Sequence, residues 1–277
     1  MTRDQTTRIG LTLAAAALCS AGTAHAALLA EDQFLTGGSN YATSSNILGQ
    51  GPATFGFTGN WLNFTGTAAP VDTGLTYGGL VTDGGALALS GGNNRTGRLI
   101  DSPVTASTTG TVYLSFLMEL SAVSNQYKAL ELHNGGFDDN TNRNFRLGNG
   151  GGANGFSNTD YGFRIAGGSN QLLGAGDTDT NLFVVRFDLS DAAASDSVTV
   201  YRNPTNLISE AANTGVTLAG QDIAFDRISV AMFTGELVTF DEFRLGTTFN
   251  SVVPIPEPGS LALLGAGGLC LLARRRR

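Results

Sequence analysis

The sequence predicts an all-β protein, a β-sandwich or jelly roll, and three observations carry that prediction. Five stretches alternate apolar and polar residues with period two, the spacing of a strand that buries one face. Gly, Asn, Ser and Thr recur every few residues between them, which is the chemistry of tight turns. No stretch of useful length repeats apolar residues at the helical period.

At the N-terminus, Arg3 and Arg8 flank the start of an apolar run, Ile9 to Cys19, which small residues follow up to Ala24-His25-Ala26. Positive charge, apolar stretch and small-x-small site, in that order, form a secretory signal peptide over residues 1–26. Ala24 and Ala26 are its cleavage residues, and the implied partner is the Sec export machinery.

Residues 27–252 are the expected exported domain. Thr111 to Ala122 places Val112, Leu114, Phe116, Met118 and Leu120 on one face and Tyr113, Ser115, Leu117 and Glu119 on the other. Leu182 to Leu189, Ser197 to Arg202, Ile228 to Phe233 and Leu237 to Leu245 alternate likewise, so each is expected to be a strand with one wet face. Thr234-Gly235-Glu236 separates the last two runs and reads as a tight hairpin turn. In the final run, Leu237, Thr239, Asp241, Phe243 and Leu245 are expected to share a face, leaving Glu242 and Arg244 to pair on the other.

Composition bounds the partners. With the terminal segments set aside, ten Lys and Arg stand against twenty-one Asp and Glu, a net charge of −11. That argues against nucleic acid and anionic surfaces as direct partners unless cations bridge them. Both cysteines, Cys19 and Cys270, fall outside the domain, so no disulfide staples it.

Catalytic chemistry is sparse. Export leaves His133 as the domain's one histidine, expected at a strand end on the surface, which supplies no Ser-His-Asp arrangement. A retaining glycosidase needs two carboxylates about 5 Å apart. Glu119 and Glu131 are separate, and Asp241 and Glu242 are expected on opposite faces. Asp138, Asp139, Asn140 and Asn142 form a candidate Ca²⁺ loop, and Asp177 with Asp179 offers a second pair. Asp and Asn also bond their own backbone in turns, which explains both clusters without metal.

The C-terminal segment, residues 253–277, opens with three prolines in five residues, Pro254, Pro256 and Pro258, and is therefore extended there. Ser260 to Ala273 is uncharged; as a helix it spans about 21 Å, short of the roughly 30 Å of a bilayer core. Arg274, Arg275, Arg276 and Arg277 follow and hold that end on the cytoplasmic side. Pro256-Glu257-Pro258, a short transmembrane helix and the arginine cluster resemble the PEP-CTERM sorting signal. The resemblance implies processing by exosortase, a membrane protease of Gram-negative bacteria that produce exopolysaccharide, with Pro256, Glu257 and Pro258 as recognition residues and the arginines as the stop.

Three further stretches, Gly56 to Trp61, Tyr113 to Leu117 and Phe240 to Thr248, resemble exported PEP-CTERM proteins with a LamG-like, concanavalin-like jelly roll. The expected function is that of a non-enzymatic surface or matrix protein, transiently anchored in the inner membrane and then processed. Its expected ligand is extracellular polysaccharide. Trp61, Tyr161 and Tyr201 are stacking candidates for glycan, with core packing the competing role for each. No cofactor is expected beyond the Ca²⁺ candidate. The competing function is a secreted carbohydrate-active enzyme on the same fold.

Overall fold

A computed structural model describes residues 27–255, apart from 53, 138–141, 152–155, 158 and 234. Its strands are β1 (Leu28–Asp32), β2 (Phe57–Val71), β3 (Ala86–Val104), β4 (Gly110–Leu120), β5 (Lys128–His133), β6 (Arg143–Asn149) and β7 (Asp160–Ile165). β8 (Gln171–Ala175), β9 (Asn181–Leu189), β10 (Asp196–Arg202), β11 (Val216–Gln221), β12 (Phe225–Met232) and β13 (Val238–Gly246) complete the set. They pair in the order β11-β10-β9-β4-β13-β3-β12-β5-β6-β7-β8, with β1 on β13 and β2 on β3.

The sheet doubles back at β3. Leu87 to Leu89 pair with β13, whereas Asn94 to Leu99 pair with β12, so one long strand serves both layers. The first layer is β11-β10-β9-β4-β13-β1, and the second is the far half of β3 with β12-β5-β6-β7-β8. Aromatic contacts close the sandwich between strands remote in pairing order. Phe145 of β6 meets Phe187 of β9 edge-on at 5.5 Å, and Tyr161 of β7 lies 5.3 Å from Phe183 of β9. Each fully buried Phe in this core contributes about 1.5–3 kcal/mol. All five alternating runs are strands, as expected.

The wet faces are not all wet. Tyr113, Leu117, Leu182 and Val184 form a second apolar cluster on the outside of the first layer, with Leu75, Phe249, Val252 and Val253 over them. The cover is an irregular segment around Leu75 and a single helical turn, α1 (Phe249–Val252), capped by Thr248 and Ser251. The turn is tied down where Ser115 Oγ donates to the Val252 carbonyl and Val81 N–H donates to the Pro254 carbonyl at 2.9 Å. Period two registers the inner face only, because irregular cover has no period.

Two finer expectations are corrected. β12 and β13 do not form a hairpin, since β3 lies between them. The connection bridges β3, with Gly235 N–H donating to the Gly91 carbonyl at 2.7 Å; Thr234 lies outside the described residues. On β13 the face assignment fails because the register slips between Asp241 and Arg244, where Glu242 takes φ 54°. Val238 and Phe240 face the core before this bulge, and Phe243 and Leu245 after it.

Candidate functional site

Strand parity and register build a row across the outside of the second layer. Gly97 of β3, Ser229 of β12, Glu131 of β5, Arg146 of β6 and Arg164 of β7 stand opposite one another in turn. The adjacent row is Arg95, Ala231, Ala129, Gly148 and Gly162. Intervening residues such as Leu130, Leu147 and Phe163 point into the core, which forces these outward.

Glu131 is the hub. Its Oε1 accepts from Tyr127 OH at 2.7 Å and Arg143 Nη1 at 2.8 Å, and its Oε2 from Arg95 Nε at 3.0 Å and Ser229 Oγ at 3.1 Å. Burial opposes ionisation here. The His133 hydrogen bond and the Arg95 and Arg143 charges outweigh it and hold the carboxyl well below the usual carboxylate range. A carboxylate so saturated has no proton to give and no lone pair free for a water, so it is unsuited to general acid or base work.

His133 is not at the surface as expected but fully buried, with the Phe137 ring 5.5 Å from it. Its Nε2 lies 2.9 Å from Ser229 Oγ and 3.2 Å from Glu131 Oε2, while Nδ1 has no partner among the described residues. A triad needs serine on one ring nitrogen and carboxylate on the other. Here both meet the same nitrogen, so the three side chains form a clamp and not a relay. Gly97 makes room for the cover: a Cβ there would come within 2.3 Å of the Phe137 ring.

Aromatic rings and guanidinium groups interleave over this face. Tyr127 stacks on Phe156 at 5.8 Å and on Phe233 at 4.7 Å. Arg95 lies over Phe233, Arg143 over Tyr127, Arg146 over Phe156 and Arg227 over Phe137, at 5.0 to 6.0 Å. Asp226 answers Arg227 at 2.7 Å, and that hydrogen bond holds its carboxyl below the ordinary range. Five of the domain's ten basic residues therefore share one face of one layer.

The other buried acidic cluster is on the first layer. The bulge turns Asp241 and Glu242 to the same outer side, correcting the expectation of opposite faces. Asp241 accepts Leu75 N–H at 2.8 Å; Glu242 accepts Asp83 N–H at 2.7 Å and pairs with Arg244 at 2.7 Å, the pairing expected from sequence. Burial, then the Glu242 charge, pushes Asp241 up to about 8. Glu242 is raised too, chiefly by burial, with Arg244 opposing. The pair fastens the covering segment to β13 and is sealed from solvent by it.

The glycan-stacking candidates offer no free ring. Trp61 and Tyr161 are fully buried in the core; Trp61 Nε1 donates to Tyr41 OH at 2.7 Å, and the Arg202 guanidinium covers Tyr161 at 4.3 Å. Tyr201 OH donates to Glu210 at 2.8 Å, and burial pushes that hydroxyl up to about 12.

Of the calcium candidates, Asp138, Asp139 and Asn140 lie outside the described residues, and the Asn142 carbonyl accepts Asn134 N–H at 2.8 Å. Asp177 is taken by Arg202 and Asn181. Among the described residues no group of three or more His, Cys, Asp or Glu could hold a metal ion. Ala24, Ala26, Pro256, Glu257, Pro258 and Arg274 to Arg277 also lie outside the described residues. Among those described, no helix is long and apolar enough to cross a membrane.

The arginine face was not anticipated. Arg143-Asn144-Phe145-Arg146 and Phe163-Arg164 do alternate charge with aromatic residues, a signal visible in β6 and β7. Their convergence on Glu131 depends on long-range register.

Comparison with known proteins gives two findings. The globular domain of T. cruzi calreticulin is similar over 80% of this chain and 89% of its own, with TM-score 0.50 and 9% identity, which shows the fold. The catalytic domain of a glycoside hydrolase family 131 protein from Coprinopsis cinerea aligns over 77% of this chain and 93% of its own (TM-score 0.47, 12% identity). The Lotus tetragonolobus seed lectin aligns over 69% and 100% (TM-score 0.40, 11% identity). No curated protein matches the chain. Residues 254–277 match the PEP-CTERM protein-sorting motif. The chain thus joins an all-β sandwich to a PEP-CTERM protein-sorting motif that begins where the sandwich ends.

Proposed function

We propose that this is an exported, non-enzymatic surface or matrix protein. In this reading the signal peptide over residues 1–26 directs Sec export, and an apolar helix with Arg274 to Arg277 holds the chain transiently in the inner membrane. An exosortase-type protease then acts at Pro256-Glu257-Pro258, delivering a jelly-roll body that binds polysaccharide on its arginine-lined face. The observation that carries the proposal is the sorting motif at 254–277. It starts at Pro254, whose carbonyl accepts the Val81 N–H of the body.

The binding part is supported by the interleaved arginines and aromatic rings, a combination that offers both hydrogen-bond donors and apolar faces to a sugar chain. That face needs no cofactor; a Ca²⁺ ion would belong to the loop of Asp138, Asp139, Asn140 and Asn142. The non-enzymatic part is supported by Glu131, saturated with donors, and by Asp241 and Glu242, shut away beneath their cover.

Replacing Pro256, Glu257 and Pro258 with Ala is expected to leave uncleaved full-length protein in the membrane; unchanged processing refutes the sorting role. A reducing-sugar assay over a polysaccharide panel is expected to show no release. Release abolished by a single carboxylate substitution would establish the enzyme instead.

A further inference from the structure

Arg146 is unlike the other arginines of its face. Arg95 and Arg143 hold Glu131, Arg227 is paired with Asp226, and Arg164 Nε donates to the Gly168 carbonyl at 2.8 Å. Arg146 stands in register between Glu131 and Arg164 and is 6% exposed, yet its guanidinium has no hydrogen-bond acceptor among the described residues. Glu131, opposite it, is already occupied by other donors. Burial is the main influence against its charge, joined by the like charges of Arg143 and Arg164 and opposed by Tyr127 and Glu131.

A largely desolvated guanidinium without a protein acceptor forms its strongest hydrogen bonds to an anion, about twice as strong as those to a neutral acceptor. A guanidinium's two parallel N–H groups match a carboxylate, and the Phe156 ring, 5.9 Å away, holds the group in place. The charge balance points the same way. A domain of net charge −11 has gathered five of its ten basic residues on one face, where Glu131 answers two of them and Asp226 a third.

We infer that the polysaccharide taken by this face is anionic and that Arg146 receives its carboxylate groups. The inference rests on the reading of this face as a glycan surface and adds the class of glycan. It also revises what net charge alone implied, since the domain repels polyanions overall but accepts them here without bridging cations.

The test uses the full chain in mild detergent and two polymers of one backbone, polygalacturonate and its fully methyl-esterified form, which lacks the charge. Polygalacturonate is expected to bind about tenfold or more tightly than the ester and to weaken as salt rises. Arg146→Gln should lower that affinity by about tenfold with the melting temperature nearly unchanged, Arg146→Lys should recover part of it, and Arg186→Gln on the opposite layer should leave it intact.

Equal binding of both polymers would overturn the anionic inference while leaving the glycan surface standing. Binding of neither would overturn both. Full binding by Arg146→Gln would remove Arg146 from the site. The comparison of the two polymers on the unaltered chain needs no variant, so it decides the class of glycan even if a substitution impairs folding.

Discussion

Glu131 and Asp241 are both buried carboxylates on outward strand faces, one in each layer, and their surroundings drive them toward opposite charge states. Glu131 has two arginines, a histidine, a tyrosine and a serine pointing at it and stays ionised. Asp241 has two backbone N–H groups and a second carboxylate as neighbour, with Arg244 committed to Glu242 and Glu31, and is pushed up to about 8. Burial is the same in both cases; the supply of cations differs. One cluster gathers arginines around its carboxylate, and the other fastens a covering loop.

The largest effect expected from breaking this contrast is at Glu131. Glu131→Gln removes the buried carboxylate on which Arg95, Arg143, Tyr127 and Ser229 converge and should cost about 3–5 kcal/mol, read as a lower urea midpoint with unchanged slope. A loss below about 1 kcal/mol would mean that the arginines find other partners and that Glu131 is no hub.

Asp241 should behave in the opposite sense. Its native pKa lies above that of the unfolded chain, so the native state keeps a proton that the unfolded state gives up. Stability from this group is present at low pH and is lost as pH rises from about 4 through 8. Glu131, held low, acts the other way: its contribution is present near neutrality and is lost as pH falls below the ordinary carboxylate range. Asp241→Asn, which mimics the protonated acid, should therefore come closest to the parent near pH 4 and exceed it increasingly up to pH 9, by several kcal/mol, on the order of 1.4 per pH unit between, in urea unfolding. Equal stability at both values would show that Asp241 ionises freely.

The smallest effect is at the rim. Asp226 and Arg227 are partly exposed neighbours, and Asp226→Asn should change stability by less than about 1 kcal/mol. A larger loss would place the rim inside the Glu131 network.

Much of the layered core was legible in the alternation of Thr111 to Ala122 and Leu182 to Leu189, because an inner face must repeat every second residue. What lies outside that face was not. Tyr113 and Leu117 are buried by Leu75 and Phe249, which arrive on irregular chain, and the slip at Glu242 leaves no mark in residue type. β3 was missed although it is nineteen residues long, since Ser90-Gly91-Gly92-Asn93-Asn94 reads as a turn where the strand passes between layers. At the candidate site, Glu131 and His133 were visible singly. Ser229, Arg95 and Arg146 join them only through pairing across β12, β3 and β6.

The sorting signal was the reverse case. Three prolines, an apolar run and four arginines act through local chemistry, and the motif match falls on the same residues. The most direct test of the proposed function is the intact mass of the mature protein isolated from its native host. The proposal predicts a chain that begins at Ala27 and ends near Pro256 to Pro258, with any added group seen as excess mass. A mass that retains Ser260 to Arg277 would contradict it.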